Sequence, residues 1–367
     1  RLSWAQQMIR YPQDNACVIA SLFGYYPGFE RHITLSSNGC ISDKANKYTK
    51  RFRSDILSMQ YIPDENVDVF FDLWIRYWES FKTFLFGCAT VLAIDLVIPL
   101  LDNFSKEIEA VIIATPTTFH FKLAKFFIEQ KKHVFVEKPI TSTTKEAKEL
   151  ILLINKFGLV GQVCHVERFN SAYLNVKNLL NPMFIEAHRL SHYPERGTDV
   201  SVVLDLMIHD IDIVLSIVDS NIKSINANGT KVISNSPDIV NARIEFQNGC
   251  VANLTASRIS LKKMRKMRLF QSDSYISIDF DSGKSEQVKI VDHDYNNEYA
   301  LTLKNFDGDE KEIKIFNYEN KNINSIEEEH NNFYKSIIEN KKPEVSFDEG
   351  ARALEIAFLI LNKIGND

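Results

Sequence analysis

The chain has 367 residues, room for two domains with separate cores, and its 45% hydrophobic and 25% charged residues are ordinary for a soluble globular protein. A net charge of -5 gives no footing for nucleic acid or an anionic membrane surface as partner. Five scattered cysteines, Cys17, Cys40, Cys88, Cys164 and Cys250, have neither metal-site nor redox-motif spacing, and their odd number points to a reduced, cytoplasmic setting. The chain starts at Arg1 rather than methionine, so a start further upstream is expected.

Residues 1–103 have poor periodicity. Aromatic clusters such as Phe70-Phe71-Asp72-Leu73-Trp74 alternate with polar runs, and no signal peptide is visible. Phe84–Leu101 is apolar enough to consider as a membrane span, but Asp95 at its centre and Pro99 and Gly87 within it favour buried globular segments. From about residue 104 the pattern becomes regular. Ala110–Ala114 reads as a short buried strand, followed by a turn at Thr115-Pro116-Thr117 that offers a helix cap. Phe121, Ala124, Phe127 and Ile128 fall at helical spacing over 118–131. His133–Val136 reads as a second strand, Ser142–Phe157 as a second helix with Thr143 and Glu146 at capping-box spacing, and Leu159–Cys164 as a third strand. Strand and helix alternating with short connections predict a Rossmann-like α/β layer with a parallel sheet, its first βαβ part atypical or missing.

After Pro182 the pattern changes to strands at Met183–Leu190, Ile222–Ala227, Ile239–Phe246, Val251–Ser257 and Tyr275–Phe280, with a helix over Val203–Val218 and a hairpin turn at Asn248-Gly249. This predicts an α+β domain with a mostly antiparallel open sheet. Loops and edge strands are expected over 281–325, and two helices near 325–340 and 347–363. The expected division is 1–103, an atypical segment; 104–165, the rest of a nucleotide-binding domain; and 166–367, the α+β domain.

Glu137-Lys138-Pro139 stands at the carboxyl end of a parallel strand, where open α/β sheets place ligands; Lys138 there can serve a hydroxyl or can be a plain surface lysine. Asp205 and His209, four apart on a helix, share a face and suit proton transfer; a histidine satisfied by a neighbouring carboxylate is the structural alternative. Arg168 and Asn170 could bind a phosphate and a sugar hydroxyl, or simply open a helix. The loop Arg196-Gly197-Thr198-Asp199 could reach the same cleft. The basic run Lys262–Arg268 is expected to be a solvated sheet edge rather than a diphosphate site. No metal is expected: His188 and His192 fall on a strand without a third ligand.

Taken in order, Ala114-Thr115-Pro116-Thr117 with His120, Glu137-Lys138-Pro139 and Asp205-x-x-x-His209 resemble the glucose–fructose oxidoreductase/inositol dehydrogenase (Gfo/Idh/MocA) family over about residues 104–367. The stretches His165–Asn170 and Val203–Asp212 look like the branch that oxidises UDP-N-acetylglucosamine-type sugars at the 3-position. The resemblance implies a Rossmann domain followed by an open-sheet domain. It also implies NAD or NADP as cofactor, hydride transfer from a sugar carbon, and a homo-oligomer formed through the open sheet. It assigns Lys138 as catalytic lysine, His209 as acid/base and Asp205 as its substrate-orienting partner. Ala114, Thr115, Pro116, His120, Glu137 and Lys138 would lie along the cofactor, and Arg168 and Asn170, with Asp205 and His209, would face the substrate.

The chain departs from that pattern at one point. The family's glycine-rich turn G-x-G-x-x-G, expected about 65 residues before Thr115 by the family's spacing, is absent from residues 1–108, where Gly24, Gly28, Gly39 and Gly87 are wrongly spaced. A lesser departure is Cys164, where the family often has glycine. Three readings stay open: a foreign or frame-altered N-terminal third, a diverged half-fold that still binds cofactor, and a non-catalytic relative that binds sugar or a partner.

Overall fold

The computed structural model describes residues 108–193, 200–293, 301–304, 307–321 and 323–365. The atypical segment 1–103, the apolar stretch Phe84–Leu101 and the loop Arg196–Asp199 lie outside the described residues. Pro116–Asp367 forms one compact unit, and β1 (Ala110–Ile113), buried at Ala110, Val111 and Ile113, lies outside it.

The first layer of the unit follows the expected alternation. Helix α1 (Thr117–Glu129) begins after Pro116, whose fixed φ suits a helix entry; no side chain caps it, contrary to the expected cap in this turn. It buries His120, Leu123, Ala124, Phe127 and Ile128 on one face. Strand β2 (His133–Val136) pairs in parallel with β3 (Gly161–Val163), and α2 (Thr144–Phe157) connects them. The capping box at α2 is formed: Thr143 accepts from the Glu146 N–H at 3.2 Å, and Glu146 accepts from the Thr143 N–H at 3.0 Å. Gly158 ends the helix at φ 63°, the left-handed conformation glycine adopts without penalty.

A short helix α3 (Ser171–Leu174), capped by Asn170, leads into the second layer. That layer is a nine-stranded sheet of β4 (Phe184–Leu190), β5 (Ile222–Thr230), β6 (Ile239–Phe246), β7 (Val251–Ser257), β8 (Met264–Phe270), β9 (Ser274–Asp279), β10 (Lys284–Asp292), β11 (Thr302–Lys304) and β12 (Glu310–Tyr318). The order is β11-β12-β10-β9-β8-β4-β7-β6-β5, antiparallel except for β4 beside β7. Gly249, at φ 89°, makes the β6–β7 turn where Asn248-Gly249 predicted it.

One expectation fails here. The basic run is not a sheet edge: β8 lies between β4 and β9 in the middle of the sheet. Met267 and Leu269 point into the core and are fully buried, while Lys266 and Arg268 alternate with them toward solvent and pair with Asp279 at 3.3 Å and Glu186 at 2.7 Å. Charge density along the run hid a period-two strand with one wet face. The stretch 281–325 likewise holds two long paired strands, β10 and β12, in register from Ser285/Tyr318 to Asp292/Lys311.

Helices α4 (Ile208–Ile217) and α6 (Phe347–Ile364) cover one face of this sheet, over inward residues such as Ile185, Ala187, Ala252, Leu254, Met267 and Ile276. On the other face Val251, Phe184, Phe270, Tyr275, Val288 and Ile315 fall in cross-strand register as one apolar stripe, with ring centroids 5.9 Å apart for Phe184–Phe270 and 5.1 Å for Phe270–Tyr275. Among the described residues, no helix is long and apolar enough to cross a membrane.

The C-terminal helix returns to the first layer. Val163 N–H donates to Val345 at 2.9 Å, Gln162 bridges to Ser346, and the next helical turn presses Gly350 against Val163. A Cβ at 350 would run into the branched Val163 side chain. Gly350→Ala is therefore expected to destabilise by about 1–2 kcal/mol by urea denaturation, the clash outweighing alanine's helix preference. Val163→Ala in the same background should return most of the loss; no rescue would place the strain elsewhere.

Candidate active site

The site forms at the carboxyl end of β2. Glu137 and Lys138 follow the strand directly, and the Glu137 carboxylate accepts the Lys138 backbone N–H at 3.1 Å. The Lys138–Pro139 bond is cis. His120 reaches the same turn from α1: it is buried, and its Nδ1 lies 2.8 Å from the Pro139 carbonyl. A carbonyl only accepts, so Nδ1 carries the proton there. His120 thus braces the turn that bears Lys138.

Lys138 Nζ donates to the Asp205 carbonyl at 2.7 Å and to Asp205 Oδ1 at 3.2 Å. The lysine side chain is 19% exposed and the aspartate 49%, so the pair sits at an opening rather than in the core. Asp205 lies on a π-turn, Val203–Met207, closed by the Ile208 N–H bonding back to Val203; α4 starts only at Ile208. The expected single α-helix from Val203 is corrected on this point. Such widened turns recur at functional sites, and no hydrophobic periodicity announces them. Here it is the Lys138 contact, not ideal α-helical spacing, that fixes where Asp205 lies.

His209 opens α4. Its Nδ1 is buried and has no hydrogen-bond partner among the described residues. Burial, then the positive charges of Lys138, Arg189 and Arg265 and the neighbouring His165, push its pKa well below the ordinary value of 6.5. A neutral imidazole can accept a proton. Lys138, Asp205 and His209, predicted together, are brought together.

Arg168 and Asn170 take internal roles. Arg168 is buried and grips Asp212 through two bonds of 2.7 and 3.1 Å. Asn170 accepts the Ala172 N–H as the cap of α3 and donates to Glu167 at 3.0 Å and to the Phe280 carbonyl at 3.0 Å. Ala114 and Thr115 follow β1 as expected for a strand's carboxyl end.

Sequence reasoning did not single out the buried charged layer behind the site. Arg189 on β4 donates to Glu167 at 2.7 Å and to Asp210 at 2.8 to 3.1 Å. Burial works against the Arg189 charge, but both carboxylates outweigh it and hold the guanidinium above its ordinary range. Nothing but an arginine at an inward strand position signalled this. Glu329, on α5 (Ser325–Ile338), is fully buried and accepts the Cys164 thiol at 3.2 Å. Burial, with the Glu137 carboxylate adding to it, raises the Glu329 pKa to about 8, and burial also pushes the Cys164 thiol up.

Glu329 therefore holds a proton in the folded chain at neutral pH that it loses on unfolding. Its folded pKa lies above the unfolded one, so its stabilising effect is complete below the unfolded value, about 4.3, and is lost as pH rises toward about 8. Glu329→Gln, which mimics the protonated acid, should leave the melting temperature unchanged near pH 4.5 and raise it progressively toward pH 8, by roughly 1.4 kcal/mol of stability per pH unit at most. Parallel melting curves of the two proteins across that range would refute this.

A cavity of about 350 Å³ lies elsewhere, between the end of α2, Gly161 and the start of α6, and none of Lys138, Asp205 and His209 lines it. Among the described residues no group of three or more His, Cys, Asp or Glu is placed to hold a metal.

A strand–helix layer with a lysine, an aspartate and a neutral histidine at its carboxyl edge, followed by a large open sheet, is the architecture of two-domain nicotinamide oxidoreductases. Comparison gives the family. Residues 79–165 match the model described as "Oxidoreductase family, NAD-binding Rossmann fold", and residues 158–277 match the GFO/IDH/MocA C-terminal domain. The chain belongs to this oxidoreductase family. The match starts ahead of residue 104, where the motifs begin, and takes in Phe84–Leu101. UDP-N-acetylglucosamine 3-dehydrogenase of Acidithiobacillus ferrooxidans is 36% identical over 184 residues, 50% of this chain and 59% of that protein. The scyllo-inositol 2-dehydrogenase (NAD(+)) of Bacillus subtilis is 29% identical over 171 residues, 42% of this chain and 49% of that protein. The chain thus spans between half and three fifths of these curated relatives. The solved A. ferrooxidans enzyme superposes with a TM-score of 0.64 at 27% identity, covering 72% of this chain and 81% of that one. Levoglucosan dehydrogenase, solved with NADH and levoglucosan, gives 0.60 at 18% identity, covering 71% and 79%, and shows the shared fold alone.

Proposed function

We propose that the chain is an NAD(P)-dependent dehydrogenase acting on a sugar hydroxyl, of a UDP-N-acetylhexosamine at its 3-position. The observation that carries this is Lys138 held by Asp205 beside a neutral His209. The substrate class rests on the likeness to the A. ferrooxidans enzyme. The three residues fit the reacting end of a nicotinamide site: a half-exposed carboxylate and a cation for hydroxyls, and a buried unpartnered imidazole nitrogen. When bound, the nicotinamide supplies the hydride acceptor. The Lys138 ammonium hydrogen-bonds the reacting hydroxyl, Asp205 orients both, and His209 takes the hydroxyl proton as the carbon is oxidised. Residues 104–165 would complete the cofactor domain and 166–367 the substrate and oligomerisation domain. The apolar stripe on the open sheet supports a homo-oligomer; a monomer at high concentration would argue against it. The compartment proposed is the cytoplasm, with no nucleic-acid or membrane partner.

The second reading, a non-catalytic relative that binds sugar or a partner, is favoured by the absent glycine turn in residues 1–108. Calorimetric titration with NAD, NADH, NADP and NADPH separates the two. Micromolar binding followed by UDP-N-acetylglucosamine oxidation supports the enzyme and decides the cofactor. No binding to a folded chain would sink the dehydrogenase. Because His209 is held well below the ordinary value of 6.5, kcat should be flat through neutral pH and past 6.5, and fall only at lower pH as the imidazole becomes protonated; an acid limb at or above 6.5 would exclude His209 as the base.

A further inference from the structure

Strand β8 carries a cation to which the reaction above gives no task. Arg265 stands cross-strand from Arg189, at the end of β8 where β4 finishes. Of the three cations within β8, Arg265 alone falls on the face of Met267 and Leu269, the face that α4 covers. Arg189 on that face is 2% exposed and locked between two carboxylates, whereas the Arg265 side chain is 41% exposed. The Arg265 guanidinium makes no hydrogen bond among the described residues, and its one ion pair there is with Glu167 at 3.7 Å. That distance is too long for a hydrogen bond.

The acids around Arg265 already have closer partners. Glu167 accepts from Arg189 at 2.7 Å and from Asn170 at 3.0 Å, and Asp210 accepts from Arg189 at 2.8 to 3.1 Å. Asp281, whose carboxyl Arg265 helps to hold below its ordinary range, pairs with Lys263 at 2.6 Å. Arg265 is left with a planar fork of donors and no close acceptor, a shape matched to a phosphate. The reacting end of the site is its neighbour, since the Arg265 charge acts on both His209 and Asp210. In a nucleoside diphosphate sugar, a single ring separates the 3-carbon from the anomeric carbon that bears the diphosphate. With the 3-hydroxyl at Lys138 and His209, the anion therefore needs a cation close to that base. Arg168, the arginine first expected to serve, is closed onto Asp212 at 2.7 and 3.1 Å.

We propose that Arg265 is a phosphate-binding residue of the substrate site: its guanidinium holds the nucleotide diphosphate while the sugar ring lies at Lys138 and His209. The inference rests on the dehydrogenase reading for the sugar, and its binding arm stands without that reading. The nicotinamide cofactor also carries phosphates, so the test separates the two sources.

The full-length chain is titrated calorimetrically with UDP and, separately, with NADH, alongside Arg265→Gln, which keeps a polar side chain and removes the charge. The dissociation constant for UDP should rise about tenfold, and less in Arg265→Lys, which keeps the charge but not the fork. Added salt should weaken UDP binding more in the unaltered chain than in Arg265→Gln, and NADH affinity should be the same in both. A half-exposed side chain with one loose ion pair contributes at most about 1 kcal/mol to the fold; if Arg265→Gln nevertheless fails to fold, Arg265→Met, which keeps the aliphatic stem, carries the comparison. In turnover, KM for UDP-N-acetylglucosamine should rise about tenfold with kcat little changed. An unaltered chain that binds no UDP, equal UDP affinities in the unaltered and folded variant chains, a loss that falls on NADH instead, or one confined to kcat overturns the proposal. A chain that binds UDP through Arg265 and oxidises no sugar sinks the dehydrogenase reading and upholds the phosphate site.

Discussion

Lys138→Ala is expected to lower kcat by about 10²–10⁴-fold while leaving the protein folded. The two consequences come from the same geometry. Nζ is held by the Asp205 carbonyl and Oδ1 at 2.7 and 3.2 Å, so in the proposed reaction its loss removes the group that meets the substrate hydroxyl. Asp205 is half exposed, and water replaces the lost partner; the cost in stability should stay within about 1 kcal/mol. Lys138→Arg should not rescue, because the longer, planar guanidinium sets its donors away from the point where the compact ammonium meets the hydroxyl. Steady-state oxidation with parallel melting curves checks both halves. Retained turnover would remove Lys138 from the chemistry, and a collapse of the fold would make it structural.

Arg189→Leu should have the opposite signature: a loss of about 3–5 kcal/mol of stability, read by urea denaturation. Arg189 is 2% exposed and answers two buried carboxylates, Glu167 and Asp210. Removing it strands Asp210 and leaves Glu167 with only Asn170 at 3.0 Å and the more distant Arg265 at 3.7 Å, which costs more than the pair itself contributes, because each carboxylate was desolvated on folding. Adding Glu167→Gln and Asp210→Asn to the same chain should recover much of the loss, since neutral amides tolerate burial where unpaired charges do not. Asp210 adjoins His209, so the single variant should also be slow as an enzyme. A loss under 1 kcal/mol would mean the carboxylates find other partners.

The elements were legible where local signals agreed with the tertiary answer. The α2 capping box, the Asn248-Gly249 turn and the alternating strands β6 and β7 appear in the structure nearly where the residues place them. The site was legible in its motif residues: Lys138, Asp205 and His209 carry chemistry that stands out in any pattern. What did not show is what depends on partners distant in sequence. Arg168 reads as a ligand-binding arginine until Asp212, 44 residues on, takes its guanidinium. Glu329 stands in the sequence among three consecutive glutamates, and only the fold buries it against Cys164, 165 residues before it. The π-turn at Val203–Met207 leaves no trace in hydrophobic spacing, and the lysines and arginines of β8 concealed a strand in mid-sheet.

The seating of α6 on β3 sets a schedule for biosynthesis. Val163 and Gln162 make their contacts with Val345, Ser346 and Gly350, nearly two hundred residues later. The strand–helix layer that carries Lys138 emerges early from the ribosome but stays unfinished until the last helix follows. Its apolar surface must wait, exposed, through the synthesis of the whole nine-stranded sheet, and closing so long a loop is slow. A chain stopped before Ser346 would lose more than its tail: it would leave the first layer with an unsealed flank, open to chaperones and to other nascent chains.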